Sequence, residues 1–95
     1  MSSESLHEMR ESLSQTTLDN HRAITSLIEE LEAVDWYSQR ADACRDEELK
    51  AILEHNRDEE LEHAAMLLEW LRRKNSDVSE HLKEYVFTEK AIAHS

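Results

Sequence analysis

Apolar residues return along this chain at steps of three and four. One series runs Ile24, Leu27, Leu31, Val34, Ser38, Ala41, and a second runs Leu49, Leu53, Asn56, Glu60, His63, Leu67, Trp70. Both read as a and d positions of a heptad, the seam of an amphipathic helix. The spacing predicts a first helix from about Leu6 to Ala43, with Ser5 and Glu8 as a capping box and a seam that weakens upstream at Asn20 and Thr17. Arg45 and Asp46 break the pattern. Asp46 is suited to cap a second helix running to about Lys74, with Glu47 and Glu48 in its first turn and Arg72, Arg73 and Lys74 in its last. After a break at Asn75 and Ser76, Asp77 with Glu80 predicts a third helix to about Phe87. Residues 1–95 are expected to form one domain, with 1–6 and 89–95 disordered.

A short break makes the first two helices antiparallel neighbours. Two helices cannot enclose a core on both sides, and small domains of this kind associate to cover what remains. The expected fold is therefore all-α: an antiparallel two-helix hairpin plus a short C-terminal helix, dimerising into a four-helix bundle.

Composition narrows the chemistry. The 95 residues include no Gly and no Pro, which removes the loops that cradle phosphates or dinucleotides. A formal net charge of −11 argues against nucleic acid and anionic membranes as partners and suits a protein that attracts cations. Cys44 is single, so no disulfide framework is expected and a reducing, cytoplasmic compartment fits. Met1 to Arg10 is polar and does not read as a secretory signal, and no apolar run approaches a membrane span.

Against that background the second seam is unusual, because Asn56, Glu60 and His63 occupy positions that should be apolar. An unpaired carboxylate on a buried seam costs several kcal/mol. Residues of this kind are kept for helix register, for a hydrogen-bonded network, or for a metal. Glu60 and His63 lie one turn apart on one face. Projected at about 100° per residue, Glu30 falls about 70° from the centre of the first seam, in a stripe with Ala23, Leu27, Val34, Tyr37 and Ala41. A ferritin-like di-iron centre takes a Glu from each of two helices and a Glu-x-x-His from each of two others. This chain supplies one of each, and a two-fold dimer supplies Glu30, Glu60 and His63 twice. Four carboxylates then balance two divalent ions. Oxygen and imidazole donors without thiolate suit iron or manganese, and zinc fits as well. A chain this rich in Glu and His also offers such a motif by chance, as Glu4 and His7 do near the terminus, so a structural polar network answers the pattern too.

Other residues extend the picture. Tyr37 follows Glu30 by one heptad, which places it beside the site or within the apolar core. Trp36 projects opposite the seam, flanked by Glu29 and Glu32: an oligomer contact, or a weak cation site at the approach to the centre. Leu61, Met66 and Leu68 broaden the apolar surface of the second helix and suggest a contact between subunits. His21, His55 and His81 are expected at the surface or an interface, and Asp58, Glu59 and Glu62 on a solvated acidic face.

The segments His21 to Tyr37 (HRAITSLIEELEAVDWY) and His55 to Arg73 (HNRDEELEHAAMLLEWLRR) closely resemble the encapsulated ferritins, ferritin-like ferroxidases packaged inside encapsulin nanocompartments. The resemblance runs from about Leu6 to Thr88. It implies a ferritin-like bundle in an annular decamer, a ring of five dimers, with a di-iron site at a dimer interface. It also implies oxidation of Fe(II) with oxygen and storage of the mineral in the surrounding encapsulin shell. Onto the family's ferroxidase ligands map Glu30, Glu60 and His63. Onto a tyrosine near its di-iron centre maps Tyr37, and onto its outer metal-access residues map Glu29 and Glu32, beside Trp36. Calcium, zinc or manganese are further candidates for the same or outer sites. Family members usually carry a C-terminal shell-targeting extension, and none is recognisable up to Ser95, so loading into a shell is implied by the family and not by these residues.

The expectation is thus a ferroxidase with two irons held between two subunits. Two other readings use the same residues: a metal-independent helical adaptor whose polar seam sets dimer register, and a divalent-metal sequestration protein without turnover.

Overall fold

In the computed structural model, which describes residues 5–93, three α-helices follow a single 3-10 turn at Arg10–Ser12. They are α1 (Gln15–Ala43), α2 (Glu47–Lys74) and α3 (Ser76–Tyr85), and there is no strand among the described residues. The fold is the all-α hairpin with a short third helix that the periodicity predicts. α1 packs along α2, and α3 packs on α2 without reaching α1. Of the termini expected to be disordered, residues 1–4 and 94–95 lie outside the described residues. No helix among the described residues is long and apolar enough to cross a membrane.

The helix ends differ from expectation at two places. α1 starts at Gln15, well after Leu6, because the side chain of Ser14 caps it by accepting from the Thr17 N–H at 3.1 Å. The Ser5–Glu8 box is not used. With 29 and 28 residues, α1 and α2 run about 43 and 42 Å at 1.5 Å per residue, so a longer α1 would project past its partner with nothing to cover it. The loop to α2 behaves as read: the Asp46 carboxylate accepts from the Leu49 N–H at 2.9 Å, with Glu47 and Glu48 in the first turn.

At the second joint Asn75 serves two helices. Its N–H donates to the Leu71 carbonyl, ending α2, and its Oδ1 accepts from the Asp77 and Val78 N–H groups, starting α3. Asp77 is therefore a first-turn acid and not the cap. α3 ends at Tyr85, and Phe87 takes φ 61°, a left-handed value that stops continuation. Near the end of α2 the Glu69 carboxylate takes three bonds of 2.7 Å, from Arg72 Nε and Nη2 and from Arg73 Nε, and the two guanidiniums lower its pKa to about 2.

The hairpin closes along the α1 stripe that carries Glu30 and along most of the second seam, and only part of the first seam joins it. Buried residues are Ala23 and Ala41 on α1 and Ala64 and Leu71 on α2. Leu27, Glu30, Val34 and Tyr37 continue the α1 line, and Leu53, Glu60 and Leu67 the α2 line, all half-buried. Ile24, Leu31 and Leu49, expected in the seams, are 46, 51 and 48% exposed. The small alanines explain the rotation: they let the backbones approach closely, which a line of Ile and Leu would prevent. The larger side chains then stand outside. With Ile52, Leu61 and Met66 they leave a single hairpin with much of its apolar surface uncovered.

Candidate metal centre

Glu30 reaches the site from the middle of α1, and Glu60 and His63 reach it from the middle of α2. The antiparallel packing sets these two stretches opposite each other, and the (i, i+3) spacing of Glu60 and His63 aims both at Glu30. His63 Nδ1 lies 3.4 Å from Glu30 Oε2 and 3.8 Å from Glu60 Oε2. One donor atom from each of the three residues falls within 4.8 Å of the others. Donors about 2.1 Å from a common ion lie at most roughly 4.2 Å apart, so small rotamer changes close the set around one ion. Among the described residues this is the one group of three or more such donors.

The electrostatics of the cluster favour a cation. Glu30 Oε2 is buried and has no hydrogen-bond partner. An unsatisfied buried carboxylate oxygen is costly. In the absence of a cation, two adjacent carboxyls relieve the cost by sharing a proton. The Glu60 carboxyl accordingly holds the Glu30 pKa above its ordinary value, first through that hydrogen bond, with loss of hydration adding to the rise and His63 opposing it. A divalent ion satisfies the same oxygen with the stronger charge. The site is not enclosed: the Glu30 and Glu60 side chains are each 24% exposed and the His63 side chain 46%. His63 therefore stands at the rim of the hairpin, next to exposed Met66, where an apolar cavity of about 330 Å³ is lined by His63, Met66, Leu67 and Trp70.

The remaining candidates lie apart from this cluster. Tyr37 is half-buried on the α1 line, two turns and about 10 Å of helix rise beyond Glu30, with the Arg40 guanidinium 5.2 Å from its ring centroid. Trp36 is 50% exposed, and Glu29 and Glu32 are exposed with it, gathering no third donor among the described residues. His55 faces Glu59 at 3.5 Å on the surface, His81 is exposed, and His21 is half-buried.

Known proteins resemble this chain in sequence and in fold. A sequence model of the EncFtn-like family matches residues 5–89. An encapsulated ferritin-like protein of Rhodospirillum rubrum is 63% identical over 91 residues, which cover 96% of this chain and 65% of that protein. This chain thus spans just under two thirds of that relative's length. A ferritin-like protein of Thermotoga maritima is 55% identical over 86 residues, covering 90% of this chain and 75% of its own length. The Myxococcus xanthus encapsulin nanocompartment cargo protein EncC is 44% identical over 66 residues, 68% of this chain and 51% of that protein. The crystal structure of a Nitrosomonas europaea protein superposes with a TM-score of 0.88 at 62% identity, covering 95% of this chain and 99% of that one. On the fold, the family match and these identities together, the chain belongs to the EncFtn-like family.

Proposed function

We propose that two copies of this chain close a two-metal site at which Fe(II) is oxidised to Fe(III) by dioxygen. One observation carries the reading: Glu30, Glu60 and His63 converge at the rim of the hairpin, where they would supply half of a di-iron ligand set, beside apolar surface that a second copy would cover. Iron is the substrate, two ions per dimer. Glu30 and Glu60 supply oxygen donors and cancel the charge of the incoming ions, and His63 supplies a neutral nitrogen through its ring. Each Fe(II) gives up one electron and dioxygen accepts the pair, so the protein's task is to hold two metals together at fixed charge. Tyr37, on the same face two turns away, borders the approach along α1.

The relatives extend the proposal. One bears the name of an encapsulated ferritin-like protein and another of an encapsulin nanocompartment cargo protein. For this chain they support a place inside an encapsulin compartment of the cytoplasm, delivering oxidised iron for storage there. The family resemblance supports a ring of dimers as the working assembly. Oxygen uptake tests the chemistry. The assembled protein consumes dioxygen in proportion to added Fe(II), faster than buffer alone. Iron bound without uptake would make this a sequestration protein, and neither binding nor uptake would leave the polar cluster as a register device.

Glu29, Glu32 and Trp36 serve the approach and not the paired centre. They stand on the exposed side of α1, where carboxylates concentrate Fe(II) and the indole limits access. Glu32→Ala and Trp36→Ala change the initial rate of oxidation and leave the iron content of the paired centre as it was. Loss of attraction slows the rate and a wider opening speeds it. A correctly assembled Glu32→Ala protein with an empty paired centre would make Glu32 a ligand.

A further inference from the structure

Positive charge in this acidic chain gathers at one place, away from the metal centre. At the joint of α2 and α3 an open cavity of about 760 Å³ is lined by Arg72, Arg73, Lys74 and Lys83 together with Ser76 and Ser79. Those are four of the chain's 11 basic residues. Acidic residues number 22, twice the basic ones, yet Lys74 and Lys83 take no ion pair among the described residues and only Glu80 brings a negative charge to the lining.

The plain explanation is that cations belong at helix C-termini: Arg72, Arg73 and Lys74 end α2, and Lys83 lies in the last turn of α3. That accounts for each residue on its own helix. It does not account for their convergence from two helices on one cavity, or for the way the guanidiniums are held. Glu69 fixes Arg72 through two 2.7 Å bonds and Arg73 through one. With its pKa near 2, it stays ionised and keeps them in place at any physiological pH. A guanidinium has five N–H donors, so Arg73 retains both Nη groups for another acceptor. Glu69 neutralises part of this charge, and the two lysines and the free Arg73 donors leave the cavity attractive to anions.

We infer that this joint binds a phosphoryl anion, with Arg73, Lys74 and Lys83 meeting its charge, the Ser76 and Ser79 hydroxyls donating to its oxygens, and Glu69 positioning the guanidiniums. Phosphoryl oxygens accept donors from several directions at once, which suits cations arriving from two helices, whereas a single carboxylate is satisfied by one guanidinium fork. The volume exceeds the needs of one phosphate and fits linked phosphates. The source is either free inorganic phosphates or the phosphate chain of a nucleotide. The inference does not depend on the ferroxidase proposal.

Calorimetric titration of the full chain with pyrophosphate, tripolyphosphate and ATP at matched ionic strength is the test, with Lys74→Ala/Lys83→Ala as the variant. Both lysines are exposed and outside the metal centre, so circular dichroism and Fe(II) oxidation stay at wild-type values. Wild-type protein binds pyrophosphate, and the variant binds it at least about tenfold more weakly. ATP binding tighter than tripolyphosphate supports the site with a nucleotide as its source, and equal or weaker ATP binding supports it with free phosphates. Equal affinity in wild type and variant, or competition by chloride as effective as by sulfate, overturns the inference. So does a variant whose sedimentation changes while wild-type protein ignores pyrophosphate, since the patch is then a contact between copies.

Discussion

Replacing Glu60 or His63 by alanine stops rapid Fe(II) oxidation and leaves the helices intact. The loss is large because each change acts twice: in a two-fold site every substitution removes two donors from two metals. Disturbing even the groups behind metal ligands costs about 10–100-fold in affinity or activity, so removing the ligands themselves is expected to cost on the order of 100-fold or more. Folding does not suffer, for two reasons. Alanine is the better helix former in the middle of α2. The cluster also carries a buried unsatisfied oxygen on Glu30 and two adjacent carboxyls that raise the Glu30 pKa, so removing Glu60 relieves the pair. Ferric absorbance growth and circular dichroism on the same samples check both halves. Well-folded variants that oxidise iron at the wild-type rate would take these residues out of the mechanism.

The proposed two-chain site predicts that metal drives assembly, so that the apo protein is smaller than the iron-loaded one. A closed two-fold site brings four carboxyls together, and without cations they repel or must hold protons. Apolar contact pulls the other way, through exposed Ile24, Leu31, Leu49, Ile52 and Met66. The balance is then set by the ions. A ligand at 100 times its dissociation constant stabilises the form that binds it by about 2.7 kcal/mol, and two ions contribute about twice that. Roughly 5 kcal/mol is several thousandfold in a dimerisation constant, enough to move a micromolar-range equilibrium from one side to the other. Sedimentation at matched dilution, with and without Fe(II) under anaerobic conditions, reads the shift. Equal assembly in the two states would contradict the coupling.

Much of this was legible in the sequence, and the rest was not for identifiable reasons. The two long helices, the Asp46 cap and the convergence of Glu30 with Glu60 and His63 follow from spacing, because three- and four-residue steps place side chains on one face whatever surrounds them. The stripe of Ala23, Leu27, Glu30, Val34, Tyr37 and Ala41 was legible, but not that it, rather than the Ile24–Leu31 edge of the seam, closes the hairpin. Ile24 and Leu31 are the stronger hydrophobes, and periodicity assigns them to the interior, but close backbone approach at Ala23, Ala41 and Ala64 decides the rotation. A sequence with apolar residues on two faces does not say which face meets its own partner helix. A local box at Ser5 and Glu8 suggests a helix from Leu6, whereas helix length is set by what lies across from it. Asn75 was read as a break, and its double role appears only when both helix ends are seen together. The basic joint escaped for the same reason: Arg72 to Lys74 read as the end of a single helix, and the cavity they share with Lys83 exists only between two.

The central claim is that the metal site belongs to two chains, because one chain offers three donors at an open rim. Native mass spectrometry with and without Fe(II) tests it most directly, since it counts subunits and metals in the same ion. The account predicts iron only in even-numbered assemblies, at two irons per pair of chains, and an iron-free monomer. A stable monomer holding stoichiometric, tightly bound iron would contradict it.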